Sequence, residues 1–269
     1  MKPITDTRAA RRRGPSRRRF DVIVVIPARN EEERIEACLR SVLTACEKAK
    51  RKARRVGVVV VADGCTDSTT EIARSVLSSR PFSSVVECDI GNVALVRALG
   101  VSVGRTIPGT IGPERTWLAN TDADTTVPPD WLLQHLDAAR RKLQAIAGVV
   151  DVQSFDGLPA IAQQHFIQTY TALLPNQGDH SHVHAANLGV RLDAYDDVGG
   201  WGCLPRSEDR DLWTRLQQRG ARIESPTYLR VVTSGRAIGR VPGGFAECLR
   251  QQVLAWELRD PSNEARSPT

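Results

Sequence analysis

The sequence predicts an α/β fold with a mostly parallel central sheet and helices on both faces, and three observations carry that prediction. From residue 20 onward, short β-branched runs alternate with segments of helical periodicity. The first, second and fourth of those runs each stop at a polar cluster, "PARNEE", "ADGCTD" and "NTDAD", where sheets of this kind gather their ligands. At 269 residues, 41% hydrophobic and 25% charged, the chain is long enough to bury a core and has a water-soluble composition.

Taken in order, "FDVIVVI" (20–26) is a strand broken by Pro27. "EEERIEACLRSVLTACEKA" (31–49) sets Ile35, Leu39, Val42 and Leu43 at helical spacing, with acids in the first turn. "VGVVVVA" (56–62) is a buried strand, followed by a helix over about 68–79 with Ile72, Val76 and Leu77 inward. "SVVEC" (84–88), a helix over 93–104 and the strand "TWLAN" (116–120) follow. Beyond residue 130 come a helix ("DWLLQHLDAARRKL"), a strand ("AIAGVVDVQ"), a helix through "PAIAQQHFIQTYTALL", the loop "PNQGDHSHVHAAN" and a short strand "LGVRL". "DDVGGWGCLP" reads as a connection into the helix "SEDRDLWTRLQQRG", with Ser207 as its N-cap and Gly220 just past its end. The expected organisation is a basic tail (1–19), a first half (20–128), a second half (129–238) and a C-terminal hinge, helix and tail (239–269).

The net charge of +6 is local. Residues 1–19 hold eight basic residues against Asp6, which leaves the remaining 250 at −1. A near-neutral body excludes a nucleic-acid-binding surface spread over one face. The basic tail suits disorder, with contact to anionic lipid, contact to some acidic partner, or no partner as the open alternatives. It contains no apolar stretch, so it does not read as a signal peptide. The run "VIVVI" (22–26) is far too short to span a membrane. Six cysteines without a CxxC pair suit reduced thiols, and the expected location is the cytoplasm, with the tail allowing peripheral membrane contact.

Within "WLANTDADTTVPPDW" (117–131), Asp122 and Asp124 end an apolar run one residue apart. In an extended segment both carboxylates would face one side and raise each other's cost of ionisation. A cation or a strong donor group between them relieves that cost. "HSHVH" sets His180, His182 and His184 at the same period, for a metal or for an acceptor loop.

The stretches "VVIPARNEEERIEACLRSVL", "VVVADGCTDST", "ANTDADTTVPPDWL", "AANLGVRLDAYDDVGGW" and "SEDRDLWTRLQQRGARI" resemble, in order and spacing, the family 2 glycosyltransferases of the GT-A fold, over about residues 20–235. The resemblance implies a Rossmann-like mostly parallel sheet with a smaller acceptor-side region. It also implies transfer of a sugar from a nucleotide diphosphate, with inversion, to an acceptor hydroxyl. A divalent cation, Mn²⁺ or Mg²⁺, would act on the leaving diphosphate. Asp122 and Asp124 resemble the family's DxD pair, with Asp124 the direct metal ligand and Asp122 nearer the ribose or the metal shell. Asp63 resembles the base-reading aspartate and implies a UDP-sugar donor. Pro27, Ala28, Arg29 and Glu31 match the segment that wraps base and ribose, and Arg97 matches an arginine near the donor. Glu208 and Asp209 resemble the ED pair, with Asp209 as general base and Glu208 in support. Trp201 stands where relatives place an aromatic for the acceptor sugar, with core packing as the other option, and His184 falls in the acceptor loop.

The chain departs from some relatives in having no histidine after His184. Water or Arg236, acting through the diphosphate, would fill that place. No transmembrane run follows the catalytic region, which argues against a processive synthase. The stripe Phe245, Leu249, Val253 and Trp256 suits a lid, a docking face or simple packing. Three other readings compete. They are a retaining transferase acting on a small phosphorylated acceptor, a nucleotidyltransferase (without its "GxGxR" loop) and an inactive scaffold.

Overall fold

The computed structural model describes residues 19–235 apart from 108, 110, 153–159, 173, 176–177 and 205–206. The basic segment 1–18, Arg236 and the predicted C-terminal hinge and helix lie outside the described residues.

Strands and helices alternate as the periodicity predicts. The first half runs β1 (Asp21–Ala28), α1 (Ile35–Ala49), β2 (Arg55–Asp63), α2 (Thr69–Leu77), β3 (Ser84–Cys88), α3 (Val93–Arg105), β4 (Thr116–Asn120) and β5 (Thr125–Thr126). The second runs α4 (Trp131–Arg140), β6 (Ala145–Ala147), β7 (Val149–Val152), α5 (Ala160–Ala172), β8 (Leu188–Arg191), α6 (Leu192–Asp197), α7 (Glu208–Gln218), β9 (Ile223–Glu224) and β10 (Arg230–Thr233). The main sheet has the order β3-β2-β1-β4-β8-β6-β9. The first four strands are mutually parallel, and β8 runs antiparallel to both β4 and β6.

Period-2 alternation divides the core between the two faces of this sheet. Val22, Val24 and Ile26 of β1 and Val58 and Val60 of β2 join the cluster beneath α1, α2 and α4. Ile23, Val25, Val59 and Val61 join the opposite cluster with α3, α6 and α7. Gly100 lets α3 lie directly on β1, because a Cβ there would stand 2.5 Å from Cγ1 of Val25.

Four local expectations are corrected. The helix predicted from residue 31 begins at Ile35, because residues 31–34 form a turn braced against the β2–α2 loop. The run 145–153 splits at Gly148 into strands of two different sheets. The connection after "LGVRL" contains the short helix α6. Ser207 precedes α7 but caps nothing with its side chain: its backbone is left-handed (φ 58°), and no side-chain capping bond forms. Gly220 does close the helix, its N–H reaching Gln217 and that of Ala221 reaching Leu216.

A second sheet of order β5-β10-β7 was not expected. Asn187 locks it to the first. Its side-chain N–H groups donate to the carbonyls of Val149 and Leu229, both at 3.0 Å, and its oxygen accepts from Trp131 Nε1 at 3.0 Å. A Cβ on Gly148 would strike this amide, so the glycine is required where the strands part.

His135, fully buried on α4, accepts a bond of 3.1 Å from Trp117 Nε1 on its Nδ1. Burial pushes its pKa down to about 3. Below the unfolded value of about 6.5 the unfolded chain binds a proton that the folded chain refuses, so stability falls with pH from there toward about 3. Between pH 7 and pH 5 this single site should cost about 2 kcal/mol. Urea midpoints should therefore drop more for the wild type than for His135→Asn, whose amide still accepts from Trp117. Equal drops would overturn the assignment.

Candidate active site

The polar clusters at the carboxyl ends of β1, β2 and β4 meet the start of α7 in one cleft. Its centre is Arg97 of α3, only 2% exposed. Nη2 of Arg97 donates to Oδ1 of Asp122 in a short ion pair. Its Nε and Nη1 are buried without a hydrogen-bond partner among the described residues. Trp201 supports the guanidinium from behind, its ring 5.6 Å from the Arg97 Cζ. At 5% exposed, Trp201 sits in the core in this structure, and Arg97 occupies the ring face expected to meet a sugar.

Asp122 opens partly to the cleft, its side chain 38% exposed. Desolvation raises its pKa, Arg97 opposes the rise, and Asp124 and Asp209 reinforce it. Glu208 is likewise raised by desolvation, with Arg97 lowering it and Asp209 and Asp122 adding to the rise. These mutual effects bring the two acidic motifs into one electrostatic unit around Arg97.

The two aspartates do not share a pair of equivalent partners. Asp122 faces Arg97. Asp124 accepts from Thr233 Oγ1 at 3.2 Å, Ser234 Oγ at 3.0 Å and Thr125 Oγ1 at 3.4 Å. The second sheet thus holds Asp124, because Thr125 and Thr233 pair across β5 and β10. The sequence reading looked to Arg236 in "VTSGR" and missed the adjacent hydroxyls of Thr233 and Ser234. Their signal was a hydroxyl pair ending an apolar strand. Among the described residues no group of three or more His, Cys, Asp or Glu is arranged to hold a metal by itself. Two carboxylates with hydroxyls behind one of them nonetheless fit a hard cation that completes its shell with water and substrate phosphate oxygens.

Asp63 ends β2 and is 6% exposed. Its Oδ1 accepts from Ile90 N at 2.6 Å, both oxygens accept from Gly91 N, and Arg29 Nη1 lies 3.6 Å from Oδ2. Pro27 and Ala28 close β1 beside it. Glu31 is buried, its N–H donating to Thr69 Oγ1 at 2.6 Å, so it braces the loop.

At the start of α7, Asp209 is fixed by two backbone donors, Ala185 N at 3.0 Å to Oδ2 and Arg210 N at 2.7 Å to Oδ1. His184 lies beside it, with burial pushing its pKa down to about 4 against the pull of Asp209. The alternate histidines do share one side. The rings of His180, His182 and His184 follow each other at 5.9 and 6.0 Å, and Tyr170 covers His182 at 4.3 Å.

Residues 23–199 match the sequence profile described as Glycosyl transferase family 2. The succinoglycan biosynthesis protein ExoA of Rhizobium meliloti (strain 1021) is 28% identical over 212 residues, which cover 75% of this chain. The match spans 59% of that protein's length. Among solved structures, S. aureus TarS 1-349 in complex with UDP-GlcNAc superposes with a TM-score of 0.62 at 14% identity, over 91% of this chain and 69% of its own. The mannosyltransferase PcManGT of Pyrobaculum calidifontis, in complex with GDP-Man and Mn²⁺, gives 0.62 at 19% identity, over 90% and 65%. Both share the fold.

Replacing Arg97 by methionine keeps the bulk and removes the cation. We expect a loss of about 2 kcal/mol in urea unfolding, less than for a wholly buried pair because Asp122 meets solvent. Unchanged stability would show that the carboxylates do not depend on Arg97.

Proposed function

The chain belongs to glycosyl transferase family 2, and on that premise we propose that it moves a sugar from a UDP-sugar to an acceptor hydroxyl with inversion, aided by a divalent cation. The observation that carries this reading is the meeting of Asp122 and Asp124 with Glu208 and Asp209 around the buried guanidinium of Arg97. Donor and acceptor acids stand in one cleft, as a single displacement requires.

In this reading Asp63 and Arg29, with the β1 end at Pro27 and Ala28, receive the base and ribose. Asp63 is held rigid by the N–H groups of Ile90 and Gly91, and a fixed carboxylate suits the imide N–H of uracil. Arg97, almost wholly buried and paired with Asp122, contributes positive charge beneath the diphosphate. Asp124, supported by Asp122, would hold Mn²⁺ or Mg²⁺, which neutralises charge on the departing diphosphate when bound. Asp209, oriented by two backbone N–H groups, takes the proton of the acceptor hydroxyl, and Glu208 supports it. The acceptor oxygen then bonds to the anomeric carbon while the bond to the diphosphate breaks, and UDP leaves with the electron pair. His184 sits on the acceptor side, next to Asp209.

The relatives support the coarser part of this reading, since TarS and PcManGT were solved with nucleotide sugars. The role of ExoA in succinoglycan biosynthesis supports a saccharide acceptor. No helix among the described residues is long and apolar enough to cross a membrane. We place the protein in the cytoplasm, with the basic segment 1–19 drawn to anionic lipid.

Calorimetric titration of UDP, GDP and ADP, with Mn²⁺ and then with EDTA, tests the donor site. UDP alone should bind, and only with Mn²⁺. Asp124→Asn should remove that Mn²⁺ dependence, and failure of every nucleotide to bind would sink the reading. Asp209→Asn should still bind UDP while transfer falls about 10²-fold or more. Wild-type transfer by that variant would take the base away from Asp209.

A further inference from the structure

Between β4 and β5 the chain carries both cleft aspartates outside any strand, so its backbone polar groups need partners from another element. Helix α1 supplies them from one face, through Cys38 and Ser41 at i and i+3. The thiol of Cys38 donates to the carbonyl of Asp122, with Sγ 3.3 Å from the oxygen. The same carbonyl accepts from Thr125 N at 3.1 Å, which closes the turn 122–125. Ser41 Oγ accepts from Val127 N at 3.0 Å and donates to Cys38 O at 2.7 Å. Its proton is thus turned back onto its own helix, and a lone pair is left for the acid-bearing segment.

Cys38 is fully buried. Burial pushes its pKa up, and Asp124, Asp122 and Glu31 add to the rise, so the thiol keeps its proton and serves as a donor. Cys38 shares a core cluster with Leu39, Val42, Ala123 and Val127. An apolar side chain of similar size would satisfy that cluster equally well, so packing does not account for a thiol and a hydroxyl aimed at residues 122–127. What the two share is a grip on the backbone at either side of Asp124. Ala123 and Val127 are buried in the cluster with α1, whereas the side chain of Asp122 opens to the cleft. One short segment therefore shows its backbone to α1 and its acids to the cleft, and a hard cation demands near-ideal placement of such oxygens.

We propose that Cys38 and Ser41 are positioning residues, which act through the backbone of residues 122–127 to hold the carboxylates of Asp122 and Asp124 where a cation is received. The inference rests on the reading that these two aspartates carry the cation. Neither Cys38 nor Ser41 touches cation, donor or acceptor in it. Arg97 and the hydroxyls of Thr233 and Ser234 hold the acid side chains, and α1 holds the main chain that carries them.

The test titrates the full chain with Mn²⁺ in the presence of UDP and reads free Mn²⁺ by electron paramagnetic resonance, which gives a Kd without any turnover. Cys38→Ala and Ser41→Ala should each raise that Kd about tenfold, the scale expected for outer partners of metal ligands. Cys38→Ser keeps a donor and Ser41→Thr keeps an acceptor, so both should recover most of the lost affinity. Cys46→Ala makes the same chemical change about two turns further along α1, where the sulfur packs against the core. It should lower the urea midpoint and leave the Kd unchanged, as a purely structural role at position 38 would also do. An unchanged Kd in the alanine variants, or one raised equally by Cys46→Ala, overturns the proposal. If the wild type binds no Mn²⁺ with UDP, the cation reading falls and this inference with it. If the wild type binds Mn²⁺ and the alanine variants match it, only this inference falls.

Discussion

A guanidinium almost wholly removed from water must have negative charge beside it, and Arg97 meets that requirement with carboxylates from distant parts of the chain. Asp122 arrives at the end of β4 and Glu208 at the start of α7, and each is desolvated enough that its charge leans on Arg97. The cation behind the acids opposes the rise in pKa that desolvation and their mutual repulsion produce. Trp201 fixes the guanidinium from the other side, which turns an expected sugar platform into a support.

The small second sheet does for Asp124 what Arg97 does for Asp122. β10 pairs with β5 just beyond Asp124 and brings Thr233 and Ser234 to its oxygens. Asn187 ties that sheet to the main one through two carbonyls and the Trp131 indole. The aspartates therefore have separate anchors, one ionic and one made of hydroxyls.

Helix α7 presents two different faces. Its N-terminal acids turn to the cleft, where backbone donors orient Asp209. Its opposite stripe, Arg210, Trp213, Thr214 and Gln217, lines a concavity together with residues 179–181. Between them the three histidines stack side by side, as their period predicted, although their rings form no metal-holding group.

Much of this was legible along the chain. β3 and β4 occupy the predicted residues, and the buried strands β1 and β2 differ from expectation by one or two residues at an end. The reason is that alternation and unbroken β-branched runs are properties of neighbouring residues. The family's motifs likewise lie in short continuous stretches, which let Asp63, Arg97, Asp122, Asp124, Glu208 and Asp209 be named from sequence. What sequence missed depends on contacts between remote segments. The left-handed backbone at Ser207, the split at Gly148 around Asn187, the hydroxyls on Asp124 and the burial of Trp201 against Arg97 are of this kind. Local pattern determined which residues are polar at the strand ends. Only the tertiary structure decided which of them face each other, because burial and pairing are set by segments that the chain order does not bring together.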